Sequence, residues 1–535
     1  MTSRTLIIGS GPCAGNVASA LLADGIEISI ATQDKSEDLS IPLSGGKAEH
    51  KWEVLSGTRV LSCRGSAGNF IISMESAGEA IDRNAANVII AEEDQRKPNF
   101  SLYNIEPAPG VISLSEVAEF ISDAKVEEDT PSIAQIIVFL TGLARESNPV
   151  IMEEIMRHCL QLQRNPKRQT FILTKNLKVA GNGLEALYRK TKKAGATYIK
   201  FSDTVPEIHQ GDDGRISIEF VDELTQQKFS LHPNVTIVDE TISPSEYLAN
   251  LAEIFGIDRG QTGFVQTENI HRTSLLTNRK GVTVVGPSRR IQPVDHHGVD
   301  AGNAAISTIG LVRNKTPKAE ITAEINSDRC VGCLNCYRIC PHHAISLDTC
   351  TNVKVMPSAC EGCGICAGAC LSSAIDIKGD GFVNILEQIS AGRNTLVSKP
   401  FVPNLMIFCC SRSAGQAMQL ATSMGYVLPQ HFKVIKVPCA GSISYNHLFA
   451  AFKNNADGVL VLTCHEGNCY SEKGNIYAKQ RVGLVTRLFT TIGVEEERLE
   501  ISSLASNMGK EFENILTGFE KTIHDLGPSR LRSVF

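Results

Sequence analysis

Cys330, Cys333, Cys336 and Cys340 stand in the spacing C-x2-C-x2-C-x3-C within "RCVGCLNCYRICPHHAI". Cys360, Cys363, Cys366 and Cys370 repeat that spacing within "ACEGCGICAGACLSSAI". Pro341 follows the first run directly, and Leu371 takes the equivalent place after the second. Soft thiolates so spaced hold iron and spread a transferred charge over iron and sulfur. Gly332, Gly362 and Gly364 let the backbone turn tightly between the ligands and aim amides at sulfur. The competing chemistry is structural zinc on the C-x2-C pairs, but zinc sites seldom use two interleaved sets of four. Iron–sulfur binding is the expectation.

The paired runs resemble those of bacterial two-cluster ferredoxins. That resemblance implies that three close cysteines of each run hold one 4Fe–4S cluster and the fourth reaches across to the other. The sets are then Cys330, Cys333, Cys336 with Cys370, and Cys360, Cys363, Cys366 with Cys340. Two neighbouring clusters make a path for single electrons. Cys350 fits neither set and reads as a small buried residue.

Five more cysteines follow: Cys409 and Cys410 in "NLMIFCCSRSAGQAMQLA", Cys439 in "VPCAGSIS", and Cys464 and Cys469 in "ADGVLVLTCHEGNCYSEKGN". They sit at the ends of apolar, strand-like runs. In a parallel sheet the C-terminal strand ends share one edge, so these thiols can converge there. Four suffice for a 2Fe–2S cluster, and which four of the five stays open. Buried or oxidised thiols are the plainer reading. His465 and Glu466 read as neighbours or surface groups rather than ligands.

The elements that must position these groups are α/β. "RTLIIGSGPCAGNVASALLADGIEISIATQD" reads as strand, glycine turn, helix, strand. Gly9, Gly11 and Ala14 fit G-x-G-x-x-[GA], with Gly15 beside them, so a dinucleotide pyrophosphate is expected at the helix N-terminus. The second strand ends on Thr32 where an acidic ribose-binding residue is usual, with Asp34 two residues on, and either takes that role. Cys13 reads as a packing residue. "RKGVTVVGPSRRIQPVDHHGVDAGNAAISTIG" returns a strand to Gly286 and Pro287 and then a helix, with Asp295, His296 and His297 at its turn. Between them, "SIAQIIVFLTGLARESNPVIMEEIMRHCLQLQ" opens a second nucleotide-type unit at about 130–250. Its turn carries only Gly142, so an NAD(P) pyrophosphate turn is missing.

The chain of 535 residues is too long for one core, and 42% hydrophobic with 21% charged residues suits a soluble globular protein. A net charge of −6 without long basic blocks gives no footprint for nucleic acid. No run approaches the length of a membrane span. "MTSRTLIIGSGP" runs straight into the glycine turn without a signal peptide's apolar stretch, so a reducing cytoplasm is expected. Only Cys13, Cys63 and Cys159 precede residue 300, which sets one boundary at "RNKTPKAEITAEINSDR" and a second between "KGDGFVN" and "SKPFVPN".

Residues Leu6 to Val312 resemble the flavoprotein subunit of heterodisulfide reductase, at "GSGPCAG", "NGLEALYRKTKKAGATYIKF" and "GVTVVGP". Residues Asn404 to about Leu504 resemble the delta subunit of methyl-viologen-reducing hydrogenase, at "FCC", "VPCAGSIS" and "ADGVLVLTCHEGNCYSEKGN". Such a fusion is similar to the corresponding fused subunit of the quinone-interacting membrane-bound oxidoreductase. The resemblance implies a Rossmann-type FAD-binding domain at 1–315, an α+β double 4Fe–4S domain at 316–385 and a C-terminal α/β 2Fe–2S domain at 400–535. It also implies FAD held by Gly9, Gly11, Ala14, Gly15, Thr32, Asp34, Gly286, Pro287 and His296. The function implied is electron transfer within an anaerobic multi-subunit redox complex, with electron bifurcation known in the family. Partners would be heterodisulfide-reductase-like, hydrogenase-like or quinone-linked membrane subunits, the last placing the chain peripherally at the inner membrane face.

Three departures qualify the likeness. The middle region keeps only Cys159 of a further cysteine-rich motif, Ser413 replaces a third cysteine after the Cys409–Cys410 pair, and Thr32 replaces the acidic residue. No constellation of side chains suggests catalysis independent of cofactors. Two alternatives stand beside the relay: a self-sufficient NAD(P)H-dependent flavin enzyme, which would need a second glycine turn near Gly142, and a scaffold that has lost its flavin and kept its clusters.

Overall fold

The computed structural model describes residues 4–34, 52–123, 135–202, 204–223, 225–265, 269, 271–313, 321–347, 353–378, 385–391, 401–429 and 431–533. Cys350, residues 314–320 of the first expected boundary and most of the second lie outside the described residues. The chain forms two compact units, one of Met1–Glu93, Glu246–Arg290 and Asp295–Phe535, the other of Asp94–Ser245 with Ile291–Val294.

In the larger unit, short runs of β-branched residues such as Thr5–Ile8 and Asn87–Ile90 are buried on both faces, as parallel strands require. Five strands pair in the order Val282–Val284, Asn87–Ile90, Thr5–Ile8, Ile28–Ala31, Trp52–Leu55, and all four pairings are parallel. The crossover helix Pro12–Ala23 starts with proline in its first turn and buries Cys13, Ala14, Val17, Ala18 and Leu21 against this sheet. Small residues on that face bring helix and strand close enough for the glycine turn to open at the sheet's C-terminal edge. A separate antiparallel sheet of Thr58–Ser66, Asn69–Ser76 and Glu79–Ala85 follows.

Two small antiparallel pairs frame the cysteine runs: Thr322–Ile325 with Ile375–Lys378, and Ile345–Leu347 with Val353–Val355. The C-terminal sheet is parallel, in the order Phe432–Val437, Leu405–Cys410, Gly458–Thr463, Leu499–Ser503. Its two central strands, Leu405–Cys410 and Gly458–Thr463, are near-continuous buried runs covered by helices on both faces. Strand alternation therefore decides which core each cysteine enters.

The smaller unit carries a third parallel sheet in the order Thr197–Lys200, Arg168–Thr174, Gln135–Thr141, Val235–Val238, Val111–Ser113. Helix Pro149–Leu162 follows Gln135–Thr141 and buries Cys159 in its core face. No helix among the described residues is long and apolar enough to cross a membrane.

Candidate functional site

The two cysteine runs exchange their fourth members. Cys360, Cys363 and Cys366 line one small cavity together with Cys340. Cys330, Cys333 and Cys336 line another together with Cys370. Gly364, at φ +77°, admits the chain into the short helix Ile365–Gly368 that carries Cys366, and helix Asn335–Ile339 carries Cys336. Backbone amides point at the sulfurs: Ala323 N to Cys360 Sγ at 3.4 Å, Ala344 N to Cys340 Sγ at 3.4 Å, and Ala374 N to Cys370 Sγ at 3.2 Å. Burial pushes the Cys363 thiol up to about 12 and Cys366 well above the ordinary range, with neighbouring thiols adding to both. Four thiolates crowded into such a place need a cationic core to hold them in that form. Among the described residues no three His, Cys, Asp or Glu groups converge on the position of a single metal ion. Each quartet instead surrounds a cavity, the arrangement a polynuclear cluster needs, and the amide-to-sulfur bonds suit one. Cys333 is exposed, whereas Cys360 and Cys366 are buried.

The C-terminal sheet brings four of its five candidate cysteines together. Cys410 ends strand Leu405–Cys410, and Cys464 follows the adjacent strand Gly458–Thr463; their sulfurs lie 3.7 Å apart. Cys439 and Cys469 both flank Gly474, where an added Cβ would fall 2.2 Å from Cys439 Sγ and 3.5 Å from Cys469 Sγ. All four thiols are buried. They share protons: the bond from Cys464 holds Cys410 down at about 6, and bonds from Cys439 and Cys464 lower Cys469. The reciprocal bonds raise Cys464 and Cys439. Cys409 is not among them. Alternation turns it into the opposite core with Leu405, Ile407 and Leu462, where burial lifts its thiol to about 12. Ser413, itself buried, lies beside Cys410 and helps lower its thiol. His465 Nε2 meets Met508 Sδ at 3.4 Å and Glu466 pairs with Lys479, so neither joins the quartet.

The loop after Cys439 packs on the cysteine-run helix. A Cβ on Gly441 would fall 2.9 Å from Ile365 Cγ1, one on Gly364 2.6 Å from Ser442 Cβ, and one on Gly368 2.6 Å from Gly441 O. Ile365 shares one core with Cys439, Cys464 and Cys469, Ser471 hydrogen-bonds to Cys363, and the charge of Cys363 contributes to the rise of Cys439. Sequence reasoning named Gly364 as a turn residue but missed Gly368 and Gly441, which are small on account of partners distant in the chain.

At the glycine turn, Gly9 has φ +134°, and a Cβ there would lie 2.1 Å from Ala91 O, so only glycine fits. Gly11 caps helix Pro12–Ala23 with no side-chain cap bond, leaving the first amides to another acceptor. A stand-in anion is present: a Cβ on Gly11 would fall 1.5 Å from Glu93 Oε1 and 2.2 Å from its carboxyl carbon. Ala14 and Gly15 are buried in the helix face. Ser10 Oγ donates to Asp34 Oδ2, and Asp34 N donates to Thr32 Oγ1, so Asp34 is the carboxylate beside the loop while Thr32 braces it. Gly286 and Pro287 are buried, with Gly286 seated against Cys13. Gly286 N donates to Asp300 Oδ2 at 3.0 Å, and Arg289 grips both Asp300 oxygens at 2.9 and 3.0 Å. His296 is turned to solvent, and the helix phase buries His297 instead. Glu93 and the Arg289–Asp300 pair carried no motif by which sequence could find them. The close backbone approach that glycine permits at Gly9 and Gly11, at a helix start with no side-chain cap, fits the pyrophosphate of FAD.

In the smaller unit the corresponding place is closed. Gly142 N donates to the buried Asp239 Oδ2 at 2.8 Å, and Asp239 Oδ1 accepts from Asn99 and Tyr103. Asn148 Oδ1 accepts from Val150 N and Ile151 N at 3.0 Å each, so the first turn of helix Pro149–Leu162 has its acceptor built in.

Residues 405–527 match the family model of the methyl-viologen-reducing hydrogenase delta subunit, and residues 323–346 match a 4Fe-4S binding domain. An F420-non-reducing hydrogenase iron-sulfur subunit from Archaeoglobus profundus is 36% identical over 132 residues, 25% of this chain and 96% of that protein. A ferredoxin:CoB-CoM heterodisulfide reductase subunit from Methanosarcina mazei is 24% identical over 357 residues, 66% of this chain and 44% of that protein. The chain thus spans less than half the length of that reductase subunit. A solved thioredoxin reductase from Lactococcus lactis matches with TM-score 0.39 and 17% identity, over 58% of this chain and 99% of its own.

Proposed function

The chain belongs, through residues 405–527, to the methyl-viologen-reducing hydrogenase delta-subunit family, and we propose that it is an electron-transfer subunit of a multi-subunit redox complex. In this reading a part like the heterodisulfide reductase flavoprotein is fused to the delta-subunit-like part. Cys330, Cys333, Cys336 and Cys370 hold one 4Fe–4S cluster, Cys340, Cys360, Cys363 and Cys366 hold a second, and Cys410, Cys439, Cys464 and Cys469 hold a 2Fe–2S cluster. FAD binds at the turn of Gly9 and Gly11, with Asp34 at its ribose. When bound, these groups exchange single electrons at the clusters and electron pairs at the flavin.

One observation carries the reading: the packing of Ile365 and Gly364 on Gly441 and Ser442, which sets the Cys363 quartet beside the Cys439 quartet in one core. The chain's own residues would keep water out of that junction and donate amides to sulfur, which stabilises the reduced, more negative cluster. The cysteines that face solvent, Cys333 above all, mark the end nearest an external partner. That partner is another redox subunit of heterodisulfide-reductase, hydrogenase or quinone-linked type, the last setting a cytoplasmic chain at the inner membrane face. Bifurcation at the flavin is an extension of this reading, to be tested by coupled reduction of a high- and a low-potential acceptor.

The test is metal and flavin analysis of chain purified without oxygen. About ten irons per chain are expected from two cubanes and one binuclear centre, with two kinds of electron paramagnetic resonance signal on reduction. Zinc in place of iron at Cys330–Cys370 would overturn the reading. Rapid flavin bleaching by NADH alone would favour the self-sufficient enzyme instead. The bonds that Asp239 and Asn148 make at the Gly142 turn weigh against that outcome.

A further inference from the structure

The Glu93 carboxyl group lies directly over Gly11, in the space the missing Cβ leaves: an added Cβ would meet Oε1 at 1.5 Å, the carboxyl carbon at 2.2 Å and Cγ at 2.7 Å. Glycine at this position serves to let a phosphate approach the backbone. Here the approach is made by a side chain that enters from beyond the neighbouring strand, Asn87–Ile90. The helix it faces has 12 residues and no side-chain cap, so its positive end is free to attract that carboxylate. We propose that Glu93 is a built-in competitor for the pyrophosphate of FAD, seated on the anion site of the glycine turn and displaced when the cofactor enters.

Two features set the strength of the competition. Glu93 is tethered, so its effective concentration at the turn is high and needs no diffusion. Pyrophosphate also meets repulsion from the carboxylates around the loop, since Asp34 is fixed by Ser10 and Glu92 adjoins Glu93. Flavin affinity is therefore lower than the glycine motif alone would give, and flavin content depends on the FAD concentration during preparation. Withdrawal of Glu93 from Gly11 is a local side-chain movement and leaves the sheet and helix in place.

This inference rests on the reading that the glycine turn takes FAD. The experiment is titration of FAD into the full chain, prepared without oxygen with its clusters intact and its flavin removed, read by quenching of flavin fluorescence. Wild type, Glu93→Gln, Glu93→Gly and Glu92→Gln are compared, with thermal midpoint and iron content as folding controls. Glu93→Gly is expected to lower the Kd at least tenfold, Glu93→Gln by less because the amide still fills the space, and Glu92→Gln least of all. Equal and tight binding by all four would overturn the inference and leave the FAD site standing. Weaker binding by both Glu93 variants would also overturn it, since Glu93 would then be aiding the cofactor. No binding by any of the four would remove the FAD reading and the inference together.

Discussion

Cys410 Sγ and Cys464 Sγ lie 3.7 Å apart at the C-terminal ends of adjacent parallel strands, while Cys409, one residue earlier, is turned into the opposite core. Strand alternation separates the two cysteines completely. Cys410→Ser should abolish the 2Fe–2S signal in reduced anaerobic protein and lower iron by about two per chain. Cys409→Ser should keep both and lose only stability, about 1–3 kcal/mol for a hydroxyl in an apolar core. Electron paramagnetic resonance with iron counting separates these outcomes, and loss of the signal in Cys409→Ser would reverse the assignment.

Gly474 begins the helix Gly474–Thr491 between Cys439 and Cys469. In most helices glycine to alanine would gain about 0.5–1 kcal/mol. Here the new methyl would fall 2.2 Å from Cys439 Sγ, with Ile365 behind it at 3.4 Å. Gly474→Ala is therefore expected to expel the binuclear cluster while both 4Fe–4S signals persist. Retention of all three signals with raised stability would show that the Cys439 thiol is free to move.

The contrast shows what a linear sequence can carry. The grouping of the cysteines of Cys330–Cys370 into two quartets is legible from their fixed short spacings, and exchange of Cys340 and Cys370 between the two cavities agrees with the resemblance that spacing supports. The choice between Cys409 and Cys410 was not legible, because it depends on strand phase, which local composition does not determine. A helix hides the same choice at His296 and His297, where its phase exposes the first and buries the second. Glu93 escaped notice because the glycine motif is local, while the group that fills it arrives from a strand some eighty residues on.

Glu92 supplies a pH dependence. Burial, with Asp34 and Glu93 adding repulsion, lifts its carboxyl from 4.5 to about 7. The folded chain thus keeps a proton that the unfolded chain releases near 4.5, so this group favours folding at low pH. Its contribution is lost as pH rises through roughly 4.5 to 7, on the order of 2 kcal/mol after allowance for its partial exposure. Glu92→Gln should leave stability at pH 5 little changed and raise it at pH 8 by about that amount. Urea midpoints of flavin-free protein at the two pH values test this. A variant that is no more stable than wild type at pH 8 would refute it.

Arg498 is only 1% exposed and ties the C-terminal sheet to its last helix. Its guanidinium donates to Glu495 Oε2 at 2.7 Å, to Asp457 O at 3.1 Å, to Gly527 O at 3.0 Å and to Leu526 O at 3.4 Å. The last two carbonyls close helix Gly509–Leu526, whose negative end favours a cation. Arg498→Met keeps much of the volume but leaves one buried carbonyl, two part-buried carbonyls and a part-buried carboxylate without their donor, a loss of about 2–4 kcal/mol. Arg498→Lys should recover less than half of it, because a single ammonium cannot reproduce the fork that reaches both strand and helix. Denaturation followed by the electron paramagnetic resonance signal of the proposed 2Fe–2S centre, in samples frozen at each denaturant concentration, reports this domain rather than the rest of the chain. A loss below about 0.5 kcal/mol in Arg498→Met would mean that water satisfies those carbonyls in place of the arginine.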